Sequence, residues 1–240
     1  MRLNSQRVVV IGGSSGIGLE TARLALSLGA YVTIAGRSED RLNRAAASLK
    51  DVADRLRTVV ADMADGQSIQ SLFSGESQVD HVFVPAGEFR PGSADLLTGD
   101  IAGMRSILEV RLLGVAYVVR HTKRLMKNGS IVLMSGLYAT RPAAGGAMAA
   151  AAVAAVGGMT RALALDLAPI RVNAVAPGLI DTPLWDTFGP QRDAILASAS
   201  KLPVGRAGRP EEIAEAVVFL MTNGFATGVV LRVDGGGSLV

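Results

Sequence analysis

Seven short, almost wholly apolar runs, each separated from the next by a stretch long enough for a crossover, set the strongest limit on how this chain can fold. The runs are Arg7–Ile11, Tyr31–Ala35, Leu56–Val60, His81–Val84, Ser130–Met134, Arg171–Val175 and Val229–Val233. Helical patterns fall at Gly16–Leu28, Glu39–Leu49, Ser68–Phe73, Asp100–Met126, Ala147–Leu167 and Pro210–Met221. Strands apolar at successive positions, rather than alternate ones, are covered on both faces, which is the condition of a parallel sheet between helices. Right-handed crossovers then make an α/β, doubly wound sheet with helices on both sides. The last helix opens with Pro210 and carries Glu211 and Glu212 beside its positive end.

No linker or composition shift interrupts the 240 residues, so residues 1–240 are expected to form a single domain. A chain of this length buries roughly 70% or more of its unfolded surface and needs no staple. Between Gly178 and Gly208, Pro183, Trp185, Pro190 and Pro203 break any periodicity. A lid or substrate-facing loop is expected at about 181–208. The absence of Cys excludes thiolate metal sites, redox pairs and a Cys nucleophile. His81 opens a strand and His121 lies late in a helix, so both are expected to be structural and no metal site is expected. Lys plus Arg exceed Asp plus Glu by only 24 to 21, which gives no basic stripe and no nucleic-acid partner. The uncharged stretch Ala143–Thr160 is Ala- and Gly-rich, which favours a close-packed buried helix over a membrane span. Polar Met1–Arg7 runs straight into a strand and leaves no room for a signal peptide, so a cytoplasmic location is expected.

The first strand runs into Gly12-Gly13-Ser14-Ser15-Gly16-Ile17-Gly18, which opens directly into a helix. Glycines in a strand-to-helix turn let the backbone approach a pyrophosphate, and the free N–H groups of the helix start favour its charge. This predicts a Rossmann-type dinucleotide site. The second strand ends in Ala35-Gly36-Arg37-Ser38, with no acid to hold a ribose 2′-OH. Arg37 can instead pair with a 2′-phosphate, with Ser38 and Ser15 as neutral donors, so NADP is expected over NAD. The alternative for Arg37 is a solvated turn residue. Asp62, after the third strand, suits either the adenine amino group or a helix cap.

In order along the chain, these features resemble the short-chain dehydrogenase/reductase family. The matching segments are Gly12-x-x-x-Gly16-Ile17-Gly18, Asp62, Ala86-Gly87, Ser135 after the fifth strand, Met159–Ala164, Arg171–Gly178 and Val233–Gly236. The resemblance implies an oxidoreductase with strand order 3-2-1-4-5-6-7, acting on a small-molecule substrate, with Ser135 as catalytic residue. It also implies a cofactor-binding set of Gly12, Ser14, Ser15, Gly16, Ile17, Gly18, Arg37, Ser38, Asp62, Met63, Ala86, Gly87, Pro177, Gly178, Ile180 and Thr182. In the family a Tyr exchanges a proton with the substrate and a Lys four residues later lowers its pKa and holds the nicotinamide ribose. Counted back from Met159, those positions are Ala149 and Val153, and the family's helix Asn falls on Arg111. The only tyrosines are Tyr31, Tyr117 and Tyr138, and no Lys lies between Lys127 and Lys201.

Loss of a general acid removes about 10² to 10⁴ in rate. Two residues could compensate: Tyr138, three positions beyond Ser135, and Arg111, a cation that anchors ribose or phosphate but holds its proton. Their plain alternatives are a surface tyrosine and an interhelical ion pair. The function expected is therefore an NADP(H)-binding oxidoreductase. Its alternative is a pseudoenzyme, an NADPH sensor or the partner of an active paralogue in a mixed oligomer. A lyase or isomerase stands third. Small residues at Ala147, Ala150, Ala151 and Ala154 allow close helix approach and predict a homodimer or homotetramer.

Overall fold

Main-chain pairing joins the seven runs into one sheet in the order β3-β2-β1-β4-β5-β6-β7, every neighbouring pair parallel. The computed structural model describes residues 3–85, 87 and 92–240. The strands are β1 (Arg7–Ile11), β2 (Tyr31–Gly36), β3 (Leu56–Val60), β4 (His81–Val84), β5 (Ser130–Met134), β6 (Arg171–Pro177) and β7 (Val230–Val233). Interior strands β4 and β5 are buried at every position, whereas β3 and β7, at the edges, are half exposed. β6 continues two residues past the run read from sequence because Ala176 and Pro177 still pair with β7.

The helices are α1 (Gly16–Ser27), α2 (Glu39–Ala47), α3 (Gly66–Ser74), α4 (Ile101–Leu108), α5 (Gly114–Thr122), α6 (Ala147–Asp166), α7 (Arg192–Ala197) and α8 (Pro210–Thr222). Successive strand side chains point to opposite faces, so β1 feeds two cores. Val8 and Val10 pack with α1, α2 and α8, while Val9 and Ile11 pack with α3, α5 and α6. Each such fully buried side chain contributes about 1.5–3 kcal/mol. At the start of α8, Glu212 accepts from the Arg209 N–H at 2.7 Å and from Arg206 at 2.6 Å. Those bonds hold its carboxyl down at about 2. At the end of α8, Arg171 donates to the carbonyls of Leu220 and Met221 at 2.8 and 2.6 Å, satisfying groups the helix cannot. Asn173 bonds Ala226 and Val229 and so sets the turn into β7.

The long helix expected over Asp100–Met126 is two α-helices joined by a π turn, Glu109–Leu113. Asp100 caps its start, accepting from the Gly103 N–H at 2.7 Å. Gly114 lets the helix close onto the β3–α3 loop, since a Cβ there would lie 2.7 Å from the Met63 side chain and carbonyl. α6 is long and apolar enough to cross a bilayer. Here it lies on the sheet with Ala149, Ala152, Val153, Val156, Gly157 and Thr160 buried. The segment expected to be irregular, 181–208, is largely helical turns: Pro183–Gln191, α7 and Ser198–Lys201. Prolines fit the first turn of a helix, so they disguised the pattern.

Candidate dinucleotide site

The cofactor candidates, save Met63's side chain and Ala86, gather at the carboxyl ends of the strands. Gly12 follows β1 with φ +107°, and the N–H groups of Gly12 and Gly13 both reach the Ala35 carbonyl, at 2.7 and 3.2 Å. A Cβ at Gly18 would run into the Gly12 carbonyl oxygen, and one at Gly13 would lie 2.7 Å from Ile34. These glycines let the turn pack closely against β2 and the start of α1, which leaves it lined by main chain. Ser15 sits extended at the N-cap of α1 and makes no side-chain cap bond, so its hydroxyl is spared for a ligand. Ser14 Oγ lies 3.5 Å from where a Gly36 Cβ would stand, and Ile17 is half-buried. The first turn of α1 carries no acid to oppose an anion. Strand end, bare N–H groups and helix start together fit the pyrophosphate of a dinucleotide.

Arg37 follows β2 and is exposed. Ser38 caps α2, its Oγ accepting from the Arg41 N–H at 3.3 Å, which leaves its proton and one lone pair for a ligand. Asp62 is half-buried and accepts from the Ala64 N–H at 2.9 Å, while Asp65 caps α3. Of the two roles open to Asp62, the helix cap is thus taken by another residue. The Met63 side chain is turned into the core against Gly114 and is 4% exposed, so only its main chain can face a cofactor. Ala86 lies outside the described residues. Gly87 is exposed, and a Cβ on it would meet the Arg111 guanidinium at 2.5 Å.

The second half of the crevice comes from Pro177–Thr182. Gly178 passes so close to Asp234 that a Cβ would lie 2.7 Å from its backbone. Ile180 and Thr182 are buried, and a Cβ on Gly16 would touch Thr182 at 3.3 Å, so this segment meets the glycine turn directly. The segment that follows is latched down. The Trp185 indole N–H donates to the Ile180 carbonyl at 2.7 Å, and Arg192 holds Asp181 at 2.7 Å and Asp186 at 2.8 Å. The latch was not legible in the sequence, since an Arg and two Asp in a Pro-rich stretch read as solvated charges.

The proton-transfer row is different. Ser135 stands at the end of β5, but it is 4% exposed and its Oγ donates to the Val153 main-chain carbonyl at 2.8 Å. Its proton ties β5 to α6. Ala149 and Val153 lie on the inward face of α6, 7% and 6% exposed, and present only hydrocarbon. Tyr138 packs with Ala149 and Met148, its ring over the start of α6 where a Gly146 Cβ would lie 2.7 Å away. Arg111 projects from the π turn and donates to the Met134 carbonyl at 3.3 Å, next to Ser135. Its plain alternative, an interhelical ion pair, finds no carboxylate among the described residues. His81 is structural, buried between Ser130 Oγ (2.9 Å) and Gln6 Oε1 (3.0 Å). Among the described residues no cluster of three His, Cys, Asp or Glu could hold a metal.

A family profile described as enoyl-(acyl carrier protein) reductase matches residues 11–238. The chain belongs to the short-chain dehydrogenase/reductase family. It is 37% identical over 244 residues to cis-4-hydroxycyclohexanecarboxylate dehydrogenase of Sinomonas cyclohexanicum, covering 97% of this chain and 96% of that one. Among solved structures, the MalC reductase/Diels-Alderase of Malbranchea aurantiaca superposes with a TM-score of 0.91 at 31% identity, covering 99% and 98% of the two chains. A small-chain dehydrogenase in complex with NADPH superposes at 0.82 with 29% identity over 99% and 100%. As a short-chain dehydrogenase/reductase the chain belongs to an oxidoreductase family that binds nicotinamide cofactors. When bound, that cofactor supplies hydride. This chain's own residues offer a cradle for its phosphates and, beside it, a wall without phenol or ammonium.

Proposed function

We propose that this short-chain dehydrogenase/reductase holds NADP(H) in the strand-end crevice and passes hydride to acceptors that need no acid from the protein. One observation carries this: the glycine cradle is whole, while Ala149, Val153 and a serine bonded to main chain stand where a proton relay would be. Hydride addition to a simple ketone leaves an alkoxide about as basic as hydroxide, far too basic to persist in neutral water. Addition to a quinone leaves a phenolate-type anion with a pKa of about 10, which water protonates without help. Lack of a general acid therefore costs the first acceptor about 10² to 10⁴ in rate and the second far less. Arg37 supports NADP over NAD, as does the likeness to an NADPH-bound relative. The substrate is a small molecule, and the protein works in the cytoplasm as a homodimer or homotetramer. The outward face of α6, with Ala147, Ala151 and Ala154 exposed, supports close pairing of copies.

The Ser135 bond to Val153 favours a second reading, a pseudoenzyme that senses NADPH or supports an active paralogue in a mixed oligomer. One assay separates the two. Purified protein is mixed with NADPH, and absorbance is followed after adding 9,10-phenanthrenequinone or cyclohexanone. Oxidation with the quinone alone meets the first reading, and binding without oxidation by either meets the second. Rapid oxidation with cyclohexanone overturns both.

A further inference from the structure

We infer that Arg111 is the fixed cation of the crevice and selects its occupant by charge, so that the site takes the reduced dinucleotide, with its neutral dihydronicotinamide, in preference to the oxidised form with its pyridinium. The inference rests on the NADP(H) reading above. It assigns a discriminating role to a residue that stands where the family carries a neutral Asn.

Three observations place the charge. The π turn Glu109–Leu113 interrupts an otherwise α-helical run at this residue. Such turns rotate the side chains beyond them, and they recur at functional sites. The guanidinium then spans two strand ends, donating to the Met134 carbonyl at 3.3 Å and lying under Gly87, where a Cβ would meet its Nη2 at 2.5 Å. Only a glycine at 87 leaves that room. Finally, among the described residues no carboxylate pairs with it. The facing wall of α6 carries no charged residue from Ala147 to Thr160. Desolvation pulls the Arg111 pKa below its ordinary value, yet a guanidinium starts so high that it stays charged at neutral pH. A half-buried cation with no carboxylate on it among the described residues is costly, and a ligand that adds positive charge beside it raises that cost.

Like charges sharing a half-solvated crevice, at an effective dielectric near 20, change affinity by about five- to thirtyfold. The two redox forms differ by one such charge at the nicotinamide ring.

The test is a pair of binding titrations needing no substrate. Trp185 is the only tryptophan and sits on the segment bonded to Ile180, so quenching of its emission reports NADPH, and calorimetry reports NADP⁺. The wild-type protein is expected to bind NADPH about five- to thirtyfold more tightly than NADP⁺ at low salt. In Arg111→Met the ratio falls toward one, chiefly because NADP⁺ tightens, and Arg111→Lys restores it. Equal wild-type affinities, or a ratio unmoved in Arg111→Met, overturn the inference while leaving the cofactor reading intact. No saturable binding of either form by the wild type overturns the cofactor reading itself. If Arg111→Met fails to fold, as circular dichroism would reveal, the wild-type ratio and its persistence in Arg111→Lys decide the matter.

Discussion

Acidification should unfasten the foot of the two strands whose far ends carry the site. His81 pairs with Ser130 across β4 and β5 and reaches Gln6, with 3% of its surface exposed. Burial drives its pKa from 6.5 down to about 4, nearby Asp80 opposing that and Arg171 adding to it. The unfolded chain takes up the proton near 6.5 and the folded chain only near 4, so between these values the unfolded state binds more protons. Stability from this group is therefore complete above pH 6.5 and is lost as pH falls toward 4. At about 1.4 kcal/mol per pH step, the loss across the window is about 3 kcal/mol. Urea unfolding at pH 7.5, 6.0, 5.0 and 4.0 would measure it, with His81→Gln as reference, since an amide keeps hydrogen bonding but does not titrate. Carboxylates common to both proteins cancel in the difference. The wild type should start more stable and lose about 3 kcal/mol relative to the variant by pH 4. Parallel pH profiles would refute the assignment of His81 as a buried neutral imidazole.

Other outcomes follow from the crevice. Gly18→Ala drives a Cβ into the Gly12 carbonyl, and its NADPH dissociation constant should rise by more than about tenfold, a loss above 1.4 kcal/mol by titration. Arg37→Ser should weaken NADPH by about tenfold and leave NADH unchanged, since only the former carries the 2′-phosphate. Replacing Arg111, Ala149 and Val153 together by Asn, Tyr and Lys should raise cyclohexanone reduction by about 10² to 10⁴. The Tyr and Lys without the Asn should gain less, because Arg111 and a Lys at 153 would repel each other, a coupling that a mutant cycle reads directly.

Much of the fold was open to inspection in the residues because each level agreed with the next. Apolar runs such as Val8–Ile11 named interior strands, and the glycines at 12, 16 and 18 marked a strand-to-helix turn able to admit a pyrophosphate. Edge strand β3 read more weakly than β1, since Arg57 and Thr58 interrupt it, and it is the more exposed of the two. The π turn at Glu109–Leu113 was invisible, because its residues keep a helical pattern. The same holds for Ser135, whose identity marked it as a catalytic candidate while its hydroxyl direction depends on a carbonyl eighteen residues away. Side chains whose role is fixed by distant main chain, such as Arg171 and Trp185, are those a linear reading leaves without a task.

The central claim is that nucleotide binding and proton transfer have parted company in this chain. One rapid-mixing experiment addresses it: NADPH-loaded protein is challenged with cyclohexanone while Trp185 emission and absorbance at the NADPH band are recorded together. Quenched emission that signals saturable binding, with absorbance unchanged over many seconds, is the predicted result. Prompt, stoichiometric loss of the NADPH band with the ketone would contradict it.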